Sequence, residues 1–468
     1  MIFNVTFFAV IKKQSMSNVN DSGSRRKFIK GIAGTALAAS VPEIIKASGK
    51  ERSEELKLRD YYTANDNIQV ALIGAGGMGT GDAQTVKTVP GVKIVAACDL
   101  FDPRLEEAKK NFGADIFTTR DHKEILLRKD IDAVIIGTPD HWHKEIAVDA
   151  LNSGKHVYCE KPMVQQINEG QAVVDAQKKS GKVLQVGSQG LSSVGNEKAK
   201  ELFEAGAIGK LNYVEGFWAR NTPGGAWQYN LPEDASEKNV DWKRFLKDKP
   251  QVPYDPKRFF RWRCFKDYGT GVCGDLFVHL ISSLHYIISS MGPTRIMSTG
   301  GLRYWKDGRD VPDIMLGMFD YPQTEKHPAF NLSLRVNFVD SNRDGSYFRM
   351  VGNEGSMLVE WNDVTLTKNF SYPPDNYAQV LKGKQYASDY DRKKIKDPDT
   401  TVFKVQEGYK GAHYDHHYNW VRAMREGKPV VEDALFGYRA AAPALLCNDS
   451  YFQGKAIKWD PVNLKLLV

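Results

Sequence analysis

A mostly apolar run, Ile68-Gln69-Val70-Ala71-Leu72-Ile73, ends at Gly74-Ala75-Gly76-Gly77-Met78-Gly79 and gives way to helical spacing that continues to about Val89. No other stretch of the chain restricts its fold as tightly. The run has the length and character of a parallel strand buried on both faces. Gly-x-Gly-x-x-Gly by itself is only a glycine-rich turn, but between a strand and a helix it does more. The glycines allow a tight turn and close backbone approach, and the helix N-terminus offers free N–H groups to a pyrophosphate. A second apolar strand, 92–98, ends at Asp99, 20 residues after Gly79. A carboxylate there accepts hydrogen bonds from both ribose hydroxyls and repels a 2′-phosphate. The expected cofactor is therefore NAD in preference to NADP, with the nearby Arg104 tempering that choice.

The alternation continues. A helical stretch at 103–112 precedes a short strand at 116–117, and further buried strands are expected at 131–136, 155–158 and 183–186. Strands separated by helices imply right-handed crossovers and a doubly wound α/β sheet. Past Gln189 the texture changes. A helix at 197–205 is followed by segments at 212–218, 316–319, 330–337, 348–351 and 357–361, which alternate in and out as antiparallel strands do. The expected organisation is a Rossmann domain over 67–189 and an α+β domain over 190–468, the second built on a mostly antiparallel, open-faced sheet. Helices at 414–426 and 434–451 close the chain, and 221–266, rich in Trp, Tyr, Pro and Arg, reads as a long loop over a cleft.

The N-terminal residues stand apart. Ser24-Arg25-Arg26-Lys27-Phe28-Ile29-Lys30 is a twin-arginine run, and the Gly- and Ala-rich stretch at 31–41 is too short and weakly apolar to stay in a bilayer. Residues 1–50 are therefore read as an export signal and leader, with Met16 as an alternative start and cleavage between Ala39 and Ser48. Residues 51–66 read as a polar linker. The mature protein is expected in the periplasm or otherwise outside the cytoplasm, without stable membrane insertion. Of the five cysteines only Cys264 and Cys273 suggest a pair, and no disulfide framework is needed. The net charge of +7 is scattered and partly in the leader, without a basic stripe interleaved with aromatics, so nucleic acid is not an expected partner.

Two more clusters stand at the carboxyl ends of expected strands, the edge where ligands lie in an open α/β sheet. They are Gly137-Thr138-Pro139-Asp140-His141-Trp142-His143 and Glu160-Lys161-Pro162-Met163. A lysine after a strand is ordinarily solvated, but here Pro162 fixes the backbone and Glu160 can orient the ammonium. Farther on, Gly274-Asp275-Leu276-Phe277-Val278-His279 follows the turn Tyr268-Gly269-Thr270-Gly271. Residues four apart share a helical face, so Asp275 and His279 are expected to point into one cleft. An imidazole near neutral pKa suits removal of an alcohol proton during hydride transfer, and an adjacent ammonium stabilises developing alkoxide charge.

With GAGGMG after a strand, CDL at 98–100, TPDHWH at 138–143 and above all CEKPM at 159–163, the chain resembles the glucose-fructose oxidoreductase, inositol dehydrogenase and MocA family. The similarity runs from Ile68 to the C-terminus. It includes Asp241-Trp242 and Tyr254-Asp255-Pro256-Lys257-Arg258-Phe259-Phe260-Arg261-Trp262-Arg263, which resembles a segment of exported members. The resemblance implies that Lys161 hydrogen-bonds the reacting hydroxyl and that His279 is the acid/base, with Asp275 beside it. It also implies a cofactor held by Gly74, Gly76, Gly77, Met78, Gly79, Asp99, Thr138, Pro139, His143, Glu160, Lys161 and Gln189. Arg220, Trp262, Arg263 and Tyr268 are expected to wall the substrate, since sugars stack on aromatic rings and bond to guanidinium groups. The chain departs from the pattern at Ser282, where many relatives carry an Asp three residues beyond the His, which leaves the orientation of His279 unexplained. His285 is read as packing. His413, His416 and His417 include an i, i+4 pair without a Glu motif or Cys set, so no metal is expected and a cleft-wall role is the most they suggest.

The activity this implies is NAD-dependent oxidation or reduction of a hydroxyl on a sugar, glycoside or related polyol. The cofactor is expected to be tightly bound, because no free NAD pool exists outside the cytoplasm. The alternative is an NAD-dependent glycoside hydrolase that oxidises a ring hydroxyl, eliminates the aglycone, adds water and reduces the product. A third reading, a cofactor-bound scaffold without turnover, is at odds with the joint presence of Lys161, Asp275 and His279. A homodimer or homotetramer is implied by family resemblance through the open face of the second sheet.

Overall fold

The computed structural model describes residues 67–340, 345–368 and 399–467. The twin-arginine run and the expected 51–66 linker lie outside these residues. Six parallel strands make the first sheet: β1 (Ile68–Ile73), β2 (Val92–Cys98), β3 (Phe117–Thr119), β4 (Ala133–Ile136), β5 (His156–Glu160) and β6 (Leu184–Gly187), in the order β3-β2-β1-β4-β5-β6. Side chains from Val70 to Ile73 and from Ala133 to Ile136 are buried, which is why both central strands appear in the sequence as unbroken apolar runs. β1 and β4 are neighbours, yet the chain leaving them turns to opposite sides of the sheet. That reversal opens a crevice at their carboxyl ends.

Helices Gly77–Val86, Asp102–Phe112, Asp140–Asn152 and Gly170–Ser180 fill the crossovers. One face of the first sheet is completed from much later in the chain. The helix Ala412–Glu426 sets Tyr414, Trp420 and Val421 into one apolar cluster with Val70, Leu72, Ala97 and Tyr158.

The second sheet has ten strands: β7 (Leu211–Ala219), β8 (Arg295–Gly301), β9 (Ile314–Tyr321), β10 (Phe330–Asn337), β11 (Gly345–Gly352), β12 (Gly355–Val359), β13 (Asp363–Lys368), β14 (Asp399–Lys404), β15 (Ile457–Asp460) and β16 (Lys465–Leu467). Its order is β14-β13-β12-β11-β7-β10-β9-β8-β15-β16, antiparallel except for the parallel pair β7 and β10. The architecture is thus the expected Rossmann sheet joined to a mostly antiparallel one. One face of the second sheet is buried and the other open. On β9, Met315, Phe319 and Tyr321 are buried while Leu316 and Met318 are 43% and 52% exposed. Strands β8, β14 and β16 carry little of the alternation that marks a strand in sequence; β14, for example, is exposed along nearly its whole length, whereas β13 and β15 alternate but are short.

All five cysteines are free and buried. The Cys264–Cys273 pair suggested by the sequence is not formed, because Cys273 packs into the core beside the Cys447 thiol instead. Among the described residues no helix is long and apolar enough to cross a membrane.

Candidate active site

The glycine turn is built by close packing. Gly74 has φ +92°, and a Cβ on it would lie 2.6 Å from Gly137 C and Thr138 N. Only glycine adopts that backbone readily and lets the turn after β1 pass the turn after β4 at such range. A Cβ on Gly137 would in its turn lie 2.6 Å from Gly79 Cα, so the three glycines are nested. Gly77 differs, since a Cβ there would meet nothing within 4 Å. It faces the cavity at the start of the helix Gly77–Val86, which has neither a side-chain cap nor an acidic residue in its first turn. Its N–H groups are left for an anion.

A cavity of about 710 Å³, the size of a ligand site, runs from this turn to His279. At one end stands Asp99, buried, with Oδ1 accepting from the Phe101 N–H at 3.0 Å and lying 3.5 Å from Arg104 Nη1. The Arg104 guanidinium rests against Phe101, Phe259 and Phe260 at 5.4–5.9 Å.

At the other end Lys161 Nζ donates to Asp275 Oδ1 at 2.8 Å and to the Asp275 carbonyl at 3.1 Å. Arg263 Nε donates to the same Oδ1 at 3.2 Å. Burial would raise the Asp275 carboxyl, but Lys161 and Arg263 outweigh it and hold it well below the usual carboxylate range. The sequence suggested that Glu160 orients Lys161; Asp275 does so instead. Glu160 Oε1 accepts from Gln189 Nε2 at 2.6 Å, and its carboxyl lies within hydrogen-bonding reach of Asp82. Burial, then their proximity to each other, pushes the Asp82 carboxyl up. Burial raises Glu160 as well. Such a pair is stable only while it shares a proton. Asp82 gave no signal in the sequence, being a single polar residue in a helix; its Oδ1 also lies 3.5 Å from His417 Nε2.

Asp275 and His279 do not share a face of an ordinary α-helix. Residues Cys273–Phe277 form a π-helix that runs into the α-helix Val278–Ile288. The wider turn still lets both side chains line the cavity, but Asp275 bonds Lys161 and Arg263 and not the imidazole. The His279 ring stands 5.2 Å from Trp218. Its Nδ1 is buried without a partner among the described residues, which leaves Nε2 for the cavity. Burial, then the charge of Lys161, holds the imidazole well below its usual pKa and hence neutral.

Ser282 takes part in a different bond. Its Oγ donates to Glu432 Oε1 at 3.1 Å and contacts Ser188 Oγ at 3.5 Å. Ser282 thus bonds a carboxyl supplied by Glu432, 150 residues away in the chain, while His279 Nδ1 has no partner among the described residues. Burial pushes Glu432 up to about 8.

Of the other sequence candidates, Gly76, Met78, Thr138, Pro139, Gln189, Arg220, Trp262 and Arg263 line the cavity. Gly79, His143 and Tyr268 do not; Gly79 is packed against the Gly74 carbonyl inside the turn. His143 is buried, with Nδ1 2.8 Å from the Pro162 carbonyl and Nε2 2.9 Å from that of Thr138, so it braces the two turns from behind. Tyr268 packs in the core against His141 and Phe245, its hydroxyl 3.4 Å from Arg258 Nη1. His285 is core as read, bonded to the Tyr321 hydroxyl at 2.9 Å. His416 uses its two nitrogens on Ser192 Oγ and the Val186 carbonyl, both at 2.8 Å, and His413 lines the cavity beside Trp361. Trp218, Tyr229, Asn230 and Trp361 also line it; Tyr229 and Asn230 lie in the 221–266 stretch that the sequence placed over a cleft, whereas Trp218 and Trp361 end expected strands, and Trp361 carried no signal for the site.

Residues 68–188 match the family model described as "Oxidoreductase family, NAD-binding Rossmann fold", and residues 200–459 the one described as "Oxidoreductase family, C-terminal alpha/beta domain". Inositol 2-dehydrogenase of Salmonella typhimurium is 30% identical over 151 residues, 32% of this chain and 45% of that protein. Levoglucosan dehydrogenase of Pseudarthrobacter phenanthrenivorans is 28% identical over 257 residues, 50% of this chain and 57% of that one. A glycosyl hydrolase family 109 protein of Shewanella sp. strain MR-4 is 34% identical over 169 residues, 32% of this chain and 36% of that one. The chain therefore spans about half the length, or less, of the curated relatives it matches. Among solved structures, levoglucosan dehydrogenase in complex with NADH and levoglucosan superposes with a TM-score of 0.62 at 20% identity, covering 84% of this chain and 99% of that one. At that identity it is the fold that is shared.

Proposed function

This chain belongs to the glucose-fructose oxidoreductase, inositol dehydrogenase and MocA family of oxidoreductases, whose first domain is NAD-binding, and on that premise we propose that it oxidises or reduces a hydroxyl of a sugar, glycoside or related polyol. The observation that carries this reading is the convergence of Lys161 and His279 on one cavity whose far end is the glycine turn and Asp99. The residues suit the cofactor. The uncapped helix start at Gly77 fits the pyrophosphate, Asp99 the adenosine ribose, and Thr138, Pro139, Glu160 and Gln189 the nicotinamide.

Bound NAD supplies the hydride acceptor. The protein's part is proton and charge handling. Neutral His279 accepts the hydroxyl proton at Nε2, with Asp275 near enough to favour the imidazolium that forms. Two Lys161 N–H groups are committed to Asp275, and the third is left for the substrate oxygen as it gains negative charge. The aromatic walls Trp218 and Trp262 exclude water and offer faces for a sugar ring.

The similarity to a glycosyl hydrolase family 109 protein supports a second reading, in which oxidation is transient and the net reaction is hydrolysis. Incubating the purified protein with aryl glycosides and no added NAD separates the two. Release of phenol with an intact sugar indicates hydrolysis; a keto-sugar indicates the dehydrogenase. A preparation that binds NAD yet transforms no sugar, glycoside or polyol defeats both.

The leader at 1–50 belongs with this proposal as a twin-arginine export signal, placing the enzyme in the periplasm or otherwise outside the cytoplasm with its cofactor captive. Mass spectrometry of nucleotide released on denaturation, and fractionation of cells expressing the full chain, test both points. Association into a dimer or tetramer through the open face of the second sheet is likewise proposed, and sedimentation checks it.

A further inference from the structure

We propose that the sugar carries a carboxylate, as a uronic acid or uronide does, and that Arg220 and Arg263 hold it beside the reacting carbon. The inference rests on the oxidoreductase reading and sharpens its substrate class.

The argument is a balance of charge along the cavity wall. At the Asp99 end the cations are matched: Arg104 with Asp99 at 3.5 Å, Arg120 with Asp102, and Arg244 with Asp121 at 3.3 Å and Asp241 at 3.4 Å. At the His279 end they are not. Asp275 alone serves both Lys161 and Arg263. Arg220 has no carboxylate within ion-pair distance among the described residues, and its one hydrogen bond is from Nη1 to the Gly225 carbonyl at 3.2 Å. Glu160 and Asp82 share one proton, so that pair carries a single negative charge; with Asp275 it sets two against the three positive charges of Lys161, Arg263 and Arg220, while Asp140, raised by burial to about 7, is bonded to Thr270 and to neither guanidinium.

Both guanidinium groups are held in place without being used up. Arg263 lies over the Trp262 ring at 4.1 Å, and Arg220 over Trp218 at 5.9 Å. Arg263 gives only Nε to Asp275, so its terminal nitrogens make no protein hydrogen bond among the described residues. Both residues line the cavity, and neither has an unused nitrogen buried without a partner. Fixed planar forks with spare N–H groups match the two oxygens of a carboxylate. A neutral hexose can accept hydrogen bonds from them, but it leaves the surplus positive charge in a partly dry site, and that is unfavourable.

The test compares sugars that differ only at C6: glucose with glucuronate, galactose with galacturonate, and the methyl glycosides of each. Two readouts serve, keto-sugar or hydrolysis product by mass spectrometry, and binding to the NAD-loaded enzyme by calorimetry. At least one acidic sugar is expected to exceed its neutral counterpart in kcat/KM by about tenfold or more, the effect of one charge-assisted hydrogen bond. Its affinity should fall as salt is raised while that of the neutral partner does not. In Arg220→Gln the acid-to-neutral ratio should drop by about tenfold or more, whatever happens to the absolute rates. If that variant does not fold, the salt dependence of the native enzyme decides. Neutral sugars preferred or equal, with no salt effect, overturns the inference and leaves the oxidoreductase intact. Failure of every sugar of both classes overturns the inference, and the parent reading falls with it only when aryl glycosides and polyols fail as well.

Discussion

Lys161 Nζ stands 2.8 Å from Asp275 Oδ1, a bond that joins the end of β5 in the first domain to the π-helix of the second. In the proposed mechanism the two act together. The carboxylate fixes where the ammonium points, and the ammonium keeps the carboxylate ionised although it is buried.

Replacing Lys161 by Met should lower kcat about a hundredfold or more, because the developing alkoxide loses its nearest positive charge. Nucleotide binding should survive, since the glycine turn and Asp99 are untouched, and Asp275 keeps Arg263 as a partner, which limits the loss of stability. Steady-state kinetics alongside the bound-nucleotide content measure this. A variant with near-native kcat removes Lys161 from the chemistry.

The acid limb of the kcat/KM profile should lie well below the ordinary histidine pKa near 6.5, because burial and then Lys161 oppose protonation of His279. In Lys161→Met, measured on its residual activity, that limb should move up in pH, one repulsive charge having gone. A limb that stays put points to a different base.

Thermal stability should peak near pH 6.5 and fall on both sides. Toward acid, His141, His156 and His416, held down to about 4 by burial, and His285 and His417, held down to about 3, bind protons in the unfolded chain before they do in the folded one; they outnumber the raised carboxyls, which act in the opposite sense over the same range, so stability drops as pH falls from 6.5 toward 4. Toward alkali the sign reverses. Glu432 and Asp140, raised by burial to about 8 and about 7, keep protons that the unfolded chain releases at its ordinary carboxylate values, and stability declines until pH passes those raised values. One such group contributes at most about 1.4 kcal/mol per pH unit. Glu432→Gln should therefore flatten the alkaline side in calorimetric Tm measurements, and an unchanged slope between pH 6.5 and 8 would exclude Glu432 as its source.

Two glycines of the same turn should respond differently to alanine. Gly74→Ala forces a Cβ to 2.6 Å from Gly137 at positive φ and should both destabilise the fold by more than about 1 kcal/mol and abolish nucleotide binding. Gly77→Ala adds a methyl to open cavity space at a helix start. Its Tm should be unchanged or slightly raised, while its NAD content falls. Thermal melts paired with nucleotide titration check both, and equal behaviour of the two variants contradicts the packing described.

The first sheet was legible from residues alone because its strands are buried on both faces and each is punctuated by glycine, proline or a charged residue; β1, β2 and β4 read off directly. Much of the cavity wall was equally plain, since Gly74, Gly76, Gly77, Met78, Asp99, Thr138, Lys161 and His279 sit in local patterns with local physical reasons. What the sequence could not settle depended on contacts between distant segments. Helix Ala412–Glu426 completes the core of the first domain, Glu432 reaches Ser282, Asp82 meets Glu160, and His143 and Tyr268 turn away from the cleft their neighbours line. The partner of Lys161 belongs to the same class: Glu160 was adjacent in the chain, but the ammonium is held by Asp275, which the fold brings within 2.8 Å. Backbone pattern is encoded in neighbouring residues, whereas the pairing of buried charges is decided by which groups the packed chain leaves without water, and only the assembled core determines that.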